Sequence, residues 1–165
     1  MEMPHRYVLG LYELLERLTG EFPDVLFEGC SGGGGRFDAG MLYYCPQIWC
    51  SDDTDAHERT FIQYGTSFFY PISAVGSHVS AVPNHQTGRS TSIQTRGTVA
   101  MAGSFGYELD LNKLSSEEKA EIAAQVSVYK EYQSLIYNGL YYRLSNPHDD
   151  NMSVWAFVSE KKADV

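Results

Sequence analysis

No stretch of this sequence approaches the roughly 20 consecutive apolar residues that a bilayer-spanning helix requires. Its first residues carry Glu2, His5 and Arg6 ahead of a charged amphipathic segment. Neither a membrane span nor a secretory leader is expected, and a cytoplasmic location is. Positive charge is scarce: 12 Lys and Arg stand against 21 Asp and Glu, a formal charge of -9. That is the wrong sign for a surface that neutralises phosphates, so neither nucleic acid nor an anionic membrane is an expected partner. Cysteine is scarce too. The three present are an odd number, Cys45 and Cys50 are separated by four residues, and no further Cys or His pair stands at zinc spacing. Free thiols are expected, and no metal site. Internal repeats and low-complexity tracts are absent. What is abundant is apolar and aromatic, 43% and 13% of 165 residues, which supports a sizeable core and argues against disorder.

The segments alternate in character. Pro4 to Leu18 places Val8, Leu11, Leu15 and Leu18 on one helical face, and Gly20 lies just past the end. Phe22 to Phe27 reads as a buried strand that runs into Cys30-Ser-Gly-Gly-Gly-Gly-Arg36-Phe-Asp38. Met41 to Pro46 reads as an aromatic linker, Gln47 to Cys50 as the next strand, and Asp52, Asp53 and Asp55 follow it. Asp53 or Thr54 can cap a helix from about Asp55 to Phe69, with Glu58 in its first turn. Tyr70 to Gly103 reads as loop-rich, and Val99 to Phe105 as holding a further strand or its approach. Ser115-Ser-Glu-Glu118 is a capping-box signature before a long helix whose face carries Ile122, Val126, Tyr129, Gln133 and Ile136, stopped by Asn138-Gly139. Tyr141 to Leu144 and Val154 to Val158 alternate like antiparallel strands. Strand and helix alternation ending in a strand-only tail implies two architectures joined near residue 140.

Both loops follow short apolar runs, the pattern of sites at the carboxyl ends of parallel strands. The four glycines Gly32 to Gly35 permit close approach to a ligand and positive φ. A phosphate loop would need Lys-Ser/Thr where Arg36-Phe37 stand, which speaks against nucleotide binding. A floor for a sugar and a plain flexible loop both fit. Three carboxylates in four residues repel one another, which with partial burial would raise at least one pKa toward that of a general acid. Capping accounts for Asp53 and Asp55 and leaves Asp52 as the chemical candidate. A magnesium site, the other reading of such a cluster, lacks a partner phosphate loop. Trp49 can stack on a sugar or fill a core. Cys30 reads as a small buried hydrophobe, and His78 and His85, without a local nucleophile signature, as structural. Tyr64 with Phe68 and Tyr129 with Tyr132 read as core or interface.

Taken together, Cys30-Ser-Gly-Gly-Gly-Gly-Arg36-Phe-Asp38, Gly40-Met-Leu-Tyr-Tyr44, Pro46-Gln-x-Trp49, Ser51-Asp-Asp-Thr-Asp-Ala56, Ile62-Gln-Tyr-Gly-Thr-Ser67, Ser77-His-Val-Ser-Ala-Val-Pro-Asn-His-Gln-x-Gly-Arg89 and Gly103-x-Phe-Gly-Tyr-Glu-Leu-Asp110 closely resemble the α-galactosidases (melibiases) of glycoside hydrolase family 36. The resemblance covers nearly the whole chain. It implies an α/β fold: residues 1–139 as the second half of a TIM (β/α)8-type barrel, and 140–165 as the start of a C-terminal antiparallel β domain. It implies retaining hydrolysis of terminal α-galactosyl groups from melibiose or raffinose-type oligosaccharides, with Asp52 as proton donor and acid/base. Cys30, Gly32 and Gly33 match positions that line the galactose pocket, with Trp49 beside them. No cofactor is implied, and homo-oligomers, commonly tetramers, are usual in the family. The family nucleophile lies in a Trp-Asp-Met-Asn-Arg type motif before the helix that opens this chain, and no Asp occurs here before Asp24. The nucleophile is therefore expected to be absent and the isolated chain inactive and poorly soluble. The alternatives are a remnant that binds sugar or a complementary half-barrel, and an α-N-acetylgalactosaminidase or galactosyl transferase on the same scaffold.

Overall fold

A computed structural model of the chain, which describes residues 2–149 and 151–161, alternates helix and strand from its first element to residue 138. Helix α1 (Glu2–Glu21) carries Pro4 in its first turn, where a missing N–H costs no helical hydrogen bond. Its Leu15 packs with Met41 and Cys45, flanked by Leu11, Tyr12, Phe27 and Tyr44. Strands β1 (Glu28–Gly29) and β2 (Gln47–Ile48) pair in parallel, Glu28 opposite Gln47 and Gly29 opposite Ile48. The expected strand over Phe22 to Phe27 is displaced: only Glu28 and Gly29 meet a partner, and Leu26 stays 87% exposed.

Between the two strands lies a helix where a linker was expected, α2 (Ala39–Tyr44). Asp38 caps it through a hydrogen bond from the Met41 amide, and Met41 is buried against α1. Six residues are too few to reveal a helical period in sequence. Helix α3 (Ala56–Thr66) follows β2, and its N-cap is Asp55, correcting the expected Asp53 or Thr54.

Residues 70–103 correct the loop-rich reading. A 3₁₀ turn (Ile72–Ala74) leads into β3 (Gly76–Ser80), then α4 (Ile93–Ala100), capped by Ser92, and β4 (Ser104–Glu108). The small residues here mark close packing. A Cβ on Gly103 would lie 2.7 Å from the Val75 carbonyl oxygen, and one on Gly106 would lie 2.8 Å from the His78 ring. Strands β3 and β4 pair in parallel over five residues each, and a parallel bridge between Ile48 and Val75 joins β2 to the start of β3. The order is thus β1-β2-β3-β4, all parallel, and among the described residues the outer edges of β1 and β4 have no ladder partner.

Helix α5 (Ser116–Asn138) begins with both hydrogen bonds of the capping box between Ser115 and Glu118. Its buried face runs through Gln125, Tyr129 and Ile136, whereas the expected Gln133 is exposed. Strands β5 (Leu140–Arg143) and β6 (Trp155–Val158) form an antiparallel pair, and residues 162–165 of the expected terminal β segment lie outside the described residues.

Alternation along β3 and β4 sorts the two faces of the sheet. Ser77 and Val79 turn toward α3 and α4, where the Ser77 hydroxyl donates to Gln63 Oε1 at 2.8 Å and Val79 packs with Ile93 and Ala100. Phe105 and Tyr107 turn toward α5, the first against Tyr129 and the second donating to Gln125 Oε1. His78 and Gly106 occupy the opposite face, paired in register, with Trp49 stacked on His78.

Candidate active site

The two chemically suggestive loops leave the carboxyl ends of adjacent parallel strands, β1 and β2, so they rise side by side. The first holds three successive glycines at positive φ: Gly32 at 58°, Gly33 at 72° and Gly34 at 92°. Only glycine takes such a run without strain. The curl is closed by the Gly35 amide on the Ser31 carbonyl (2.9 Å) and the Phe37 amide on the Gly34 carbonyl (3.0 Å). Phe37 stacks on Tyr70 at 4.0 Å, and Tyr12 donates to Asp38 Oδ1 at 2.7 Å, which ties the loop's end to α1. The curl rests directly on the second loop. A Cβ on Gly33 would lie 2.8 Å from the Asp52 amide and one on Gly34 2.5 Å from the Cys50 carbonyl oxygen.

Within the second loop the side chains of Ser51, Asp53 and Asp55 fold back on the backbone, and that of Asp52 does not. Ser51 Oγ accepts from the Asp53 amide (3.1 Å), Asp53 Oδ1 from the Asp55 amide (3.0 Å), and Asp55 Oδ1 from the amides of His57 (2.8 Å) and Glu58 (3.2 Å). Asp52 is exposed and its carboxylate has no hydrogen-bond partner among the described residues. Asp55 is nearly fully buried. Burial by itself would raise its pKa, but the Thr87 hydroxyl, the two helix amides and Arg89 together hold the carboxyl below its ordinary value. Two of the three acids serve the start of α3, and the pKa of the Asp55 carboxyl is lowered where the crowding of charges predicted a rise.

A guanidinium that the sequence reading passed over supports this loop from below. Arg59, 2% exposed, donates to the carbonyls of Asp53 (2.6 Å), Ser51 (2.6 Å) and Gly76 (3.2 Å) and contacts Cys50 Sγ at 3.7 Å. It also lies 4.3 Å from the centroid of the Trp49 ring. Desolvation lowers its pKa from the usual arginine value, opposed by Cys50, Asp53 and Glu108. Trp49, half-buried, contacts both this cation and the ring of His78, whose centroid is 4.7 Å away and whose Nδ1 lies 3.6 Å from a Glu108 carboxylate oxygen. His78 thus belongs to the wall beside the candidate site, while His85 is exposed in the β3–α4 loop.

That loop is laced to the acid loop. The Thr54 amide donates to Gln86 Oε1 (3.2 Å), Asn84 Nδ2 to Thr54 Oγ1 (3.0 Å), Thr87 to Asp55 Oδ2 (2.7 Å), and Arg89 to Asp55 and to Glu58 (3.1 Å). Asp55, His57 and Glu58 lie close enough together to offer ligands to a metal ion, but Arg89 already neutralises two of them. Cys30, expected to be buried, is exposed at the end of β1, and all three cysteines are free thiols. Cys30, Gly32, Gly33, Trp49 and Asp52 therefore lie on two neighbouring loops and the strand end between them. Asn84 and Arg89 were present in sequence only as motif residues and Arg59 not even as that, since nothing local to them names their partners.

The family model of melibiase matches residues 1–139 of this sequence. The chain belongs to the melibiase family. It is 64% identical over 160 residues to the bifunctional alpha-galactosidase/sucrose kinase AgaSK of Mediterraneibacter gnavus, an alignment covering 97% of this chain and 17% of that protein. It is 57% identical over 164 residues to alpha-galactosidase AgaA of Geobacillus stearothermophilus, covering 99% of this chain and 22% of AgaA. The chain thus spans about a fifth of the length of these melibiase relatives. A crystal structure of an AgaA variant in complex with 1-deoxygalactonojirimycin superposes with a TM-score of 0.95 at 57% identity, covering 97% of this chain and 22% of that one. An AgaA variant in complex with raffinose superposes at 0.93 and 58% identity, covering 95% and 22%. No helix among the described residues is long and apolar enough to cross a membrane.

Proposed function

We propose that this chain supplies the acid/base side of a retaining α-galactosidase site, working on terminal α-galactosyl groups of raffinose-type oligosaccharides. The single observation that carries the reading is Asp52. It is the one carboxylate of its loop without a protein partner, and it stands against the glycine curl at the carboxyl ends of two parallel strands. In the first step its proton passes to the glycosidic oxygen as the bond to the anomeric carbon breaks. In the second the same carboxylate takes a proton from the water that releases galactose. The nucleophilic carboxylate comes from outside these 165 residues. The curl lets a sugar approach to backbone distance, the Cys30 thiol borders it, and Trp49, held in place by its contacts with Arg59 and His78, stands at the strand end beside it as an aromatic wall.

In this reading residues 1–139 are half of a closed barrel and 140–165 open an antiparallel β domain. Among the described residues, four parallel strands whose outer edges have no ladder partner, with α3, α4 and α5 on one face and Trp49, His78 and Glu108 beside the other, support it. Exposed Met3, Leu26 and Phe69 mark surfaces that meet further polypeptide.

The test is a hybrid in which this chain replaces the matching segment of AgaA. Asp52→Asn is expected to lower kcat/KM for raffinose by about 10²–10⁴-fold, and far less for a dinitrophenyl α-galactoside, whose leaving group needs no proton. Equal losses on both substrates would remove Asp52 from the acid role. A folded hybrid that releases no galactose from any α-galactoside would sink the whole reading.

A further inference from the structure

Arg59 is buried with no carboxylate in salt-bridge range among the described residues, an unusual position for a group that carries its charge permanently. Its hydrogens go to backbone carbonyls instead. Two of these, on Ser51 and Asp53, immediately bracket Asp52, and the third, on Gly76, belongs to the neighbouring strand β3. A planar fork bonded to the carbonyls on both sides of one residue leaves that residue's Cα little freedom to rotate. The same fork lies under Trp49. The glycine curl presses on the loop from the other side, at the Asp52 amide.

We propose that Arg59 is a positioning residue for proton donation: it clamps the Ser51 to Asp53 backbone to β3 and so fixes the direction in which the Asp52 carboxyl meets the glycosidic oxygen. The proposal rests on the acid/base reading of Asp52 given above. A lysine cannot replace the fork, since a single ammonium on a flexible stem cannot reach carbonyls on both sides of Asp52 and on Gly76 at once. Proton transfer is sensitive to such misplacement, whereas attack on a substrate with a good leaving group is not.

The experiment uses the AgaA hybrid with Arg59→Lys and Arg59→Met, each compared with the unsubstituted hybrid and with Asp52→Asn. The unsubstituted and Asp52→Asn proteins report on the assignment of Asp52, and the Arg59 variants report on the clamp. Expected for Arg59→Lys is a fall in kcat/KM for raffinose of 30-fold or more, with less than a 5-fold fall for the dinitrophenyl α-galactoside. Arg59→Met should widen that split, and neither substitution should add to the loss on raffinose when combined with Asp52→Asn. Falls of equal size on the two substrates, or no fall on either, would overturn the proposal. So would global unfolding of both variants, which would assign Arg59 to the core in general and not to the acid loop.

Discussion

At the scale of single residues, the site depends on which atoms are left without partners and which are crowded. Gly34 is the sharpest case of crowding. Its φ of 92° and the 2.5 Å approach of the Cys50 carbonyl oxygen to a Cβ leave alanine neither a permitted conformation nor space. Gly34→Ala in the AgaA hybrid is expected to reduce turnover of raffinose and of an activated galactoside alike, because it pushes the two loops apart. Steady-state kinetics on both substrates would distinguish this from the selective loss expected of Asp52→Asn. Asp55 gives a prediction in pH. Its folded pKa lies below the ordinary 3.8, so its stabilisation is fully present above that value and is lost as pH falls through the folded pKa. Asp55→Asn should therefore lower the hybrid's melting temperature most at neutral pH. The gap between variant and parent should close in scans taken progressively below about pH 3.8. A gap independent of pH would mean that packing, not charge, dominates at this position.

At the scale of elements, local sequence and tertiary packing contribute unequally. Helix α5 announces its own start. Ser115 and Glu118 exchange both capping bonds, and Ser115→Ala should destabilise the first turn by about 1 kcal/mol. Amide hydrogen exchange over the first turn should accelerate about fivefold with little change elsewhere. Helix α4 depends instead on what it packs against. Gly97 lies against the amide of Gln125 on α5, and that amide in turn donates to the Ile93 carbonyl (3.0 Å) and accepts from Tyr107. Gly97→Ala places a methyl where the amide sits, and overpacking of this kind costs about 1–3 kcal/mol despite the better helix propensity of alanine. A lower melting temperature for Gly97→Ala, restored in part by Gln125→Ala, would confirm the contact as the cause.

At the scale of the whole molecule, the outer edges of the sheet have no ladder partner among the described residues, and large apolar side chains lie uncovered: Leu26 at 87%, Phe69 at 84%, Met3 at 83%. The 165-residue polypeptide alone is expected to self-associate and to release no galactose from melibiose or raffinose. Size-exclusion chromatography and a galactose assay check this directly. A monomer with turnover would contradict both the proposed half-barrel and the proposed external nucleophile.

Several features were legible from residues alone because their causes are local. The capping box at Ser115, the helix around Leu15, the alternation in Tyr141 to Leu144 and the glycine run needed no partner to be recognised. That a carboxylate of this loop caps the following helix was also legible, since caps follow local rules, although the cap fell at Asp55 and not at Asp53 or Thr54. What only the tertiary structure decided is what depends on contacts between distant segments. The stretch from 70 to 103 resembles loop because its glycines and serines are small, and they are small because strands and helices there approach within a side chain's width. Arg59 resembles an ordinary helix residue until its fork is seen to reach Ser51, Asp53 and Gly76. Sequence determined which residues could do chemistry. Packing determined which of them are tied up in hydrogen bonds, because a side chain's bonds to distant backbone carry no signature in the residues beside it.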